Sequence, residues 1–273
     1  MSSSSVLHLP AQGTLIIGTD LQGNLRDFEQ LHRHFLAAGP DAQLVLTGDL
    51  VHGPDEETVA QWPDFLGTPY RDQSPELIEA FLAARRAAPG RVHCLMGNHD
   101  HAHLGGPVTS KFHPDEAAHL ESMLGAERTA QWRSVAAEFP LVIVAPCGVV
   151  MTHAAPGLPL QSESELIGIP WDAYRGDSIP QFFKRPVLGP VLWARSATDE
   201  DVAQFLSALG GTVAVFGHDV VREGFAHDGD RHIVVSTSFA LFDVDKVFVQ
   251  VELGGHYADA EALREGHELK KLW

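Results

Sequence analysis

Five short apolar runs in this chain each stop at a small cluster of polar, metal-seeking residues. Leu15-Ile16-Ile17 runs into Gly18-Thr19-Asp20-Leu21-Gln22-Gly23-Asn24, and Leu44-Val45-Leu46 runs into Thr47-Gly48-Asp49. The run at 92–96 meets Gly97-Asn98-His99-Asp100, Val149-Val150-Met151 meets Thr152-His153, and the run at 213–216 meets Gly217-His218-Asp219. Apolar runs of this length are buried strands, and the ligands of open α/β sheets gather just beyond strand ends. Five such ends on one sheet would bring two Asp, one Gln, one Asn and two or three His to a common place. That is a ligand set for two divalent cations.

The order of elements supports an α/β chain. A strand at 14–19, a helix at 24–38 opened by Asn24 and Asp27, a strand at 43–47, a helix at 75–88 and a strand at 91–96 alternate as parallel strands with crossover helices do. Helices at 114–124 and 126–137 follow, then a hairpin of strands 141–145 and 148–152 through Pro146-Cys147-Gly148. A helix at 199–209 precedes a strand at 212–216, and 220–225, 232–236 and 246–251 have the pattern of an antiparallel meander. The Pro- and Gly-rich stretches 53–74 and 154–192 are the expected substrate or lid loops.

The 273 residues suffice for one domain over 1–273, with 1–12 expected as a flexible tail. The net charge is −17, with no basic stripe, which argues against a nucleic-acid polymer as partner. An acidic surface also repels anionic substrates, so any phosphate must be drawn in by local cations. The longest apolar stretch, 139–151, is broken by Pro140, Pro146 and Gly148, so no membrane span is expected. The first residues lack the basic and apolar regions of a secretory signal, and two cysteines in strand-like runs suit free thiols; both point to a cytoplasmic location.

Asp20 and Asp49 are hard oxygen donors, Gln22 and Asn98 offer amide oxygens, and His153 and His218 offer imidazole nitrogens. This mixed set suits Mn, Mg, Fe or Zn, with Mn the first expectation. Two such ions clamp a phosphoryl group and hold a bridging hydroxide. His101, His103 and His113 lack a zinc spacing and are expected in a solvated loop.

The order Asp-x-Gln-Gly-Asn, Gly-Asp, Gly-Asn-His-Asp, His-Ala-Ala, Gly-His resembles the calcineurin-like metallophosphoesterases. Within them it is most similar to the phosphoprotein-phosphatase branch and its bacterial diadenosine-polyphosphatase relatives. The resemblance implies a double β-sandwich flanked by helices and a dinuclear centre that hydrolyses phosphomonoesters by direct attack of a metal-bridged hydroxide. It implies Asp20, Gln22 and Asp49 at a first metal; bridging Asp49 with Asn98, His153 and His218 at a second; and His99 as general acid. The implied substrate is a small phosphorylated molecule or a phosphoprotein; the oligomeric state stays open.

Three departures stand out. Gln22 occupies a position where the family usually has His, which implies looser or harder-metal binding and brings nucleotide pyrophosphate cleavage into view. The usual Gly-Asp-x-Val-Asp-Arg-Gly becomes Gly48-Asp49-Leu50-Val51-His52-Gly53-Pro54, so His52 replaces the acidic partner of the general acid and the phosphate-binding arginine is gone. Gly217-His218-Asp219-Val220 lacks the broader family's second His. Trp193-Ala194-Arg195 resembles a segment that these enzymes carry before the last histidine, which makes Arg195 the candidate phosphate clamp. The same departures leave room for a non-catalytic phosphate-binding member.

Overall fold

The structure is a computed structural model that describes residues 5–273. Its strands are β1 Val6–His8, β2 Thr14–Gly18, β3 Gln43–Leu46, β4 Val92–Cys94, β5 Val142–Val144, β6 Val149–Met151, β7 Val213–Phe216, β8 Phe225–His227, β9 His232–Val235, β10 Val247–Glu252 and β11 Leu269–Lys271. Its α-helices are α1 Leu25–Ala37, α2 Glu56–Ala60, α3 Ser74–Ala87, α4 Asn98–Ala102, α5 Glu116–Ala136, α6 Ile179–Phe182, α7 Leu188–Trp193 and α8 Asp199–Leu209.

The strands form two mixed sheets, ordered β1-β5-β6-β7-β9-β8 and β11-β10-β2-β3-β4. Side-chain alternation explains how they stack. Leu15, Ile17 and Val45 of one sheet share a buried cluster with Ile143, Val149, Met151, Val213 and Val215 of the other. The alternate residues Ile16, Leu44, Leu46, Val142 and Val150 face the helical layers instead. Period-two burial with both faces apolar is what a double sandwich covered by helices requires.

The helices begin where their caps dictate. Asn24 accepts from the Asp27 amide at 3.2 Å while its side chain donates to the Asp27 carboxylate at 2.8 Å, opening α1. Phe28, Leu31 and Phe35 then line the buried face of α1. Thr198 caps α8 and Gly210 closes it in the left-handed region. The two helices expected at 114–124 and 126–137 are both present within α5 and meet at Gly125, whose φ 74° and ψ 170° are not helical.

Several expectations need correction. The five ligand-bearing ends do not share one sheet: β2, β3 and β4 belong to one and β6 and β7 to the other. The tail expected at 1–12 already contains β1, parallel to β5, with Val6 and Leu9 buried; residues 1–4 lie outside the described residues. The expected meander is split, because β8 and β9 pair antiparallel at one sheet edge while β10 crosses to pair with β2. The 53–74 segment carries the short helix α2, and the 154–192 segment carries α6 and most of α7. Cys94 and Cys147 are free and buried. Among the described residues no helix is long and apolar enough to cross a membrane.

Candidate metal centre

The polar ends of β2, β3, β4, β6 and β7 meet where the two sheets adjoin. Asp20, Gln22, Asp49, Asn98 and His153 are all buried there, as are His52 and His99. Among the described residues seven non-glycine residues have φ in the left-handed region, and five of them are candidate site residues: Asp20 (47°), Gln22 (39°), Asp49 (53°), His52 (74°) and His218 (67°). Side chains rarely tolerate that region, and strain of this kind collects at functional sites. The glycines provide close approach. Gly48, at φ 102°, would put a Cβ 2.6 Å from the Gly97 backbone, and a Cβ on Gly97 would collide with the Asp49 carboxylate.

His153 fixes the centre. Its Nδ1 lies 2.9 Å from the Thr47 carbonyl, so the ring donates there and turns the lone pair of Nε2 inward. Around Nε2 stand Asn98 Oδ1 at 2.9 Å, His218 Nδ1 at 3.2 Å and Asp49 Oδ1 at 3.5 Å. These are lone-pair donors converging on each other, an arrangement that suits a cation among them. Asp49 also accepts from the His99 amide at 3.0 Å, while its own amide donates to Asp100 Oδ2 at 2.7 Å. Asp100 thus holds the Asp49 turn from behind; burial and the nearby Asp49 charge raise its carboxyl to about 7.

The second group of candidate ligands is looser. Asp20 accepts from the His218 amide at 2.9 Å. The Gln22 amide lies 3.5 Å from Asp49 Oδ2, and its Oε1 accepts from Lys111 Nζ at 2.9 Å. Burial raises the Asp20 carboxyl to about 6, with His153 opposing the rise and Asp49 adding to it. A raised carboxyl favours the fold while protonated, so in metal-stripped protein that contribution is lost as pH climbs through about 6. A divalent ion needs the ionised form. The rise in Tm produced by Mn is therefore expected to grow as pH passes about 6. Melts of stripped and Mn-loaded protein from about pH 5 to about pH 8 test this, and a shift independent of pH would remove Asp20 from the ligand set.

His99 and His52 form a further cluster. Arg133 holds Glu121 through two bonds of 2.9 and 2.7 Å, and Glu121 Oε1 lies 2.9 Å from His103 Nδ1. The bonds from His103 and Arg133 keep the Glu121 carboxyl below its ordinary range. A carboxylate only accepts, so His103 donates from Nδ1 and its Nε2 accepts from His52 Nε2 at 3.1 Å. His52 Nδ1 then accepts from His99 Nδ1 at 3.0 Å, leaving His99 Nε2 free for the cavity, 3.9 Å from Asp49 Oδ2. Burial first, with Lys111 and His52 adding, holds the His99 imidazole well below its usual value. Glu116 Oε2 lies 3.5 Å from the same Nδ1, too far for a good hydrogen bond.

Two adjoining cavities of about 160 and 210 Å³ open onto these residues and share Gln22, Lys111, Arg195 and His218. The 154–192 segment contributes Ile179 to their walls; 53–74 contributes none. That stretch buttresses the first ligand loop instead: the Tyr70 hydroxyl donates to the Gln22 carbonyl at 3.1 Å and the Gln73 amide to that of Gly23 at 2.9 Å. Arg195 stands at the rim, 62% exposed and ion-paired with Asp219. The solvated loop expected for His101, His103 and His113 is not observed for the first two, which are buried against Trp171 and His52 respectively. Lys111, Glu116 and the His103–Glu121 pair escaped sequence reasoning, since no periodic pattern marks them.

The calcineurin-like phosphoesterase model matches residues 14–235, from β2 through β9. No curated protein sequence matches the chain. Among solved structures, a protein serine/threonine phosphatase from Saccharomyces cerevisiae with similarity to human phosphatase PP5 superposes with a TM-score of 0.66 at 14% identity, covering 98% of this chain and 82% of its own. A cold-active protein-tyrosine phosphatase of a psychrophilic Shewanella species gives 0.59 at 14% identity, covering 92% and 78%. At such identities the likeness is one of fold, whereas the family model spans most of the chain and all five polar strand ends. The protein belongs to the calcineurin-like phosphoesterase family and is a metal-dependent hydrolase of phosphoric esters.

Proposed function

We propose that this protein hydrolyses phosphomonoesters in a single displacement, with one divalent ion held by Asp49, Asn98, His153 and His218 and another by Asp20, Gln22 and Asp49. The convergence of Asn98 Oδ1, His218 Nδ1 and Asp49 Oδ1 within 3.5 Å of His153 Nε2 carries this reading. When bound, the ions supply an acidic water as nucleophile and neutralise charge on the phosphoryl group. A donor set that mixes oxygen and nitrogen suits Mn, Mg, Fe or Zn, and Mn is the ion proposed first.

The chain's own groups do the rest. In the resting chain the one proton of neutral His99 sits on Nδ1 and is donated to His52, so the acid is the imidazolium, whose second proton on Nε2 is the transferable one. From there it protonates the leaving oxygen. A doubly charged phosphate beside it opposes the burial that disfavours the imidazolium. Asp49 fixes the His99 backbone through the 3.0 Å amide bond, so ligand and acid are positioned together. No protein nucleophile is needed, and the two cysteines are buried away from the cavities.

The amide at Gln22 keeps a second substrate class in contention, the pyrophosphate link of a nucleotide such as diadenosine tetraphosphate. Turnover of p-nitrophenyl phosphate against diadenosine tetraphosphate, each with Mn, Mg or Zn, separates the two. Preference for the monoester is expected. Cleavage of the dinucleotide alone would reassign the substrate, and no turnover of either with any ion would leave a phosphate-binding protein without catalysis.

A further inference from the structure

Lys111 lies outside every recognised motif, on the stretch between α4 and α5. The residue is exposed, yet its ammonium turns inward, 2.9 Å from Gln22 Oε1 and 3.9 Å from the centroid of the Phe239 ring. Both partners are neutral. Among the described residues no carboxylate lies within 4.0 Å of it, in contrast to Lys246, which is paired with Asp27 and Asp243. Asp20, Asp49 and Glu116 act on it only at longer range. A cation held between two neutral groups, with no contacting anion, leaves its charge available to an anion entering the cavity.

The ammonium also sits where a substrate must pass. Lys111 lines both cavities, as do Gln22, Arg195 and His218. A chain of net charge −17 needs a local cation to draw in a phosphate. Arg195, the other candidate, is already neutralised by Asp219 and points largely to solvent.

We propose that Lys111 is the phosphate-binding cation of this site, its ammonium donating to a non-bridging phosphoryl oxygen of the ester and of the inorganic phosphate product. This rests on the phosphoester reading above for the identity of the anion. The Phe239 face and Gln22 Oε1 preset the ammonium, so little rotamer freedom is lost when the anion arrives.

Calorimetric titration of metal-loaded protein with inorganic phosphate tests the proposal without relying on turnover. Lys111→Ala should weaken phosphate binding by about tenfold or more with metal content unchanged. Lys111→Met, which retains the stem against Phe239 but not the charge, should lose as much, and Lys111→Arg should recover most of the affinity. Arg195→Ala should lose less than either. Wild-type affinity in Lys111→Ala, a larger loss in Arg195→Ala, or loss of metal together with phosphate would each overturn the assignment. Failure of the two readings is distinguishable: phosphate bound through Lys111 without hydrolysis of any ester defeats the catalytic reading alone, whereas ester turnover with undiminished phosphate binding in Lys111→Ala defeats this one alone.

Discussion

Asp49→Asn is expected to strip the centre of metal and lower p-nitrophenyl phosphate turnover by about 10⁴-fold, equivalent to ~5 kcal/mol of transition-state stabilisation. The carboxylate is the one side chain common to both proposed ion positions, with Oδ1 near His153 and Oδ2 near Gln22. Asparagine has nearly the same shape but no charge, and its amide would turn two N–H groups toward lone-pair donors. It can still accept from the His99 amide through Oδ1, so the fold should survive. The turn itself is held by the Asp49 amide on Asp100, which the substitution leaves intact. Metal analysis of the purified variant, beside its melting curve, is the decisive measurement. A folded Asp49→Asn protein with a full complement of ions and ordinary turnover would end the proposed ligand assignment.

The second large effect belongs to His99. His99→Ala should reduce hydrolysis of alkyl phosphates by about 10²- to 10⁴-fold, the usual contribution of a positioned general acid. p-Nitrophenyl phosphate should suffer far less, because its leaving group departs without a proton. Metal content should not change, since the imidazole contributes no atom to the cluster around His153 Nε2. The chain behind His99 makes a graded forecast possible. His103→Ala cuts the connection between His52 and Glu121, so His52 no longer has a fixed tautomer to offer His99. A loss of about tenfold is expected, again confined to poor leaving groups, as when an outer hydrogen-bond partner is removed. Equal losses on good and poor leaving groups in His99→Ala would mean that the imidazole serves binding or packing and not proton transfer.

The helix boundaries were largely legible because local signals fix them. Asn24, Thr198 and Gly210 cap helices through contacts made within a few residues, and the kink at Gly125 follows from a backbone conformation that glycine favours. Strand pairing was less legible. Nothing within 246–251 tells that β10 leaves its neighbours to pair with β2, more than two hundred residues away in sequence. Nor does the Ser-rich start announce that Val6–His8 completes the edge of a sheet beside β5. Such pairings depend on which apolar face is left to cover, a property of the assembled layers.

The same division runs through the site. The types and order of the donors were written in the chain, since a short buried strand must end somewhere and its polar terminus is conspicuous: Asp20, Asp49, Asn98, His153 and His218 could all be named from that pattern. Whether those ends converge was decided by the stacking of two sheets and not by one, for the ends of β2, β3 and β4 meet the ends of β6 and β7 only across the sandwich. The environment of His99 was likewise a tertiary matter. Substitution at His52 removes the acidic partner expected from the motif, but only the packing of α4 against α5 reveals that His103 and Glu121 lie behind it. Lys111 is the plainest case: one lysine among ordinary surface residues in the sequence, and a cation facing the cavity once folded. Sequence fixes which groups a strand end or a cap can offer, because those depend on neighbours along the chain; charge placement across a cavity depends on neighbours in space, which only the packed layers bring together.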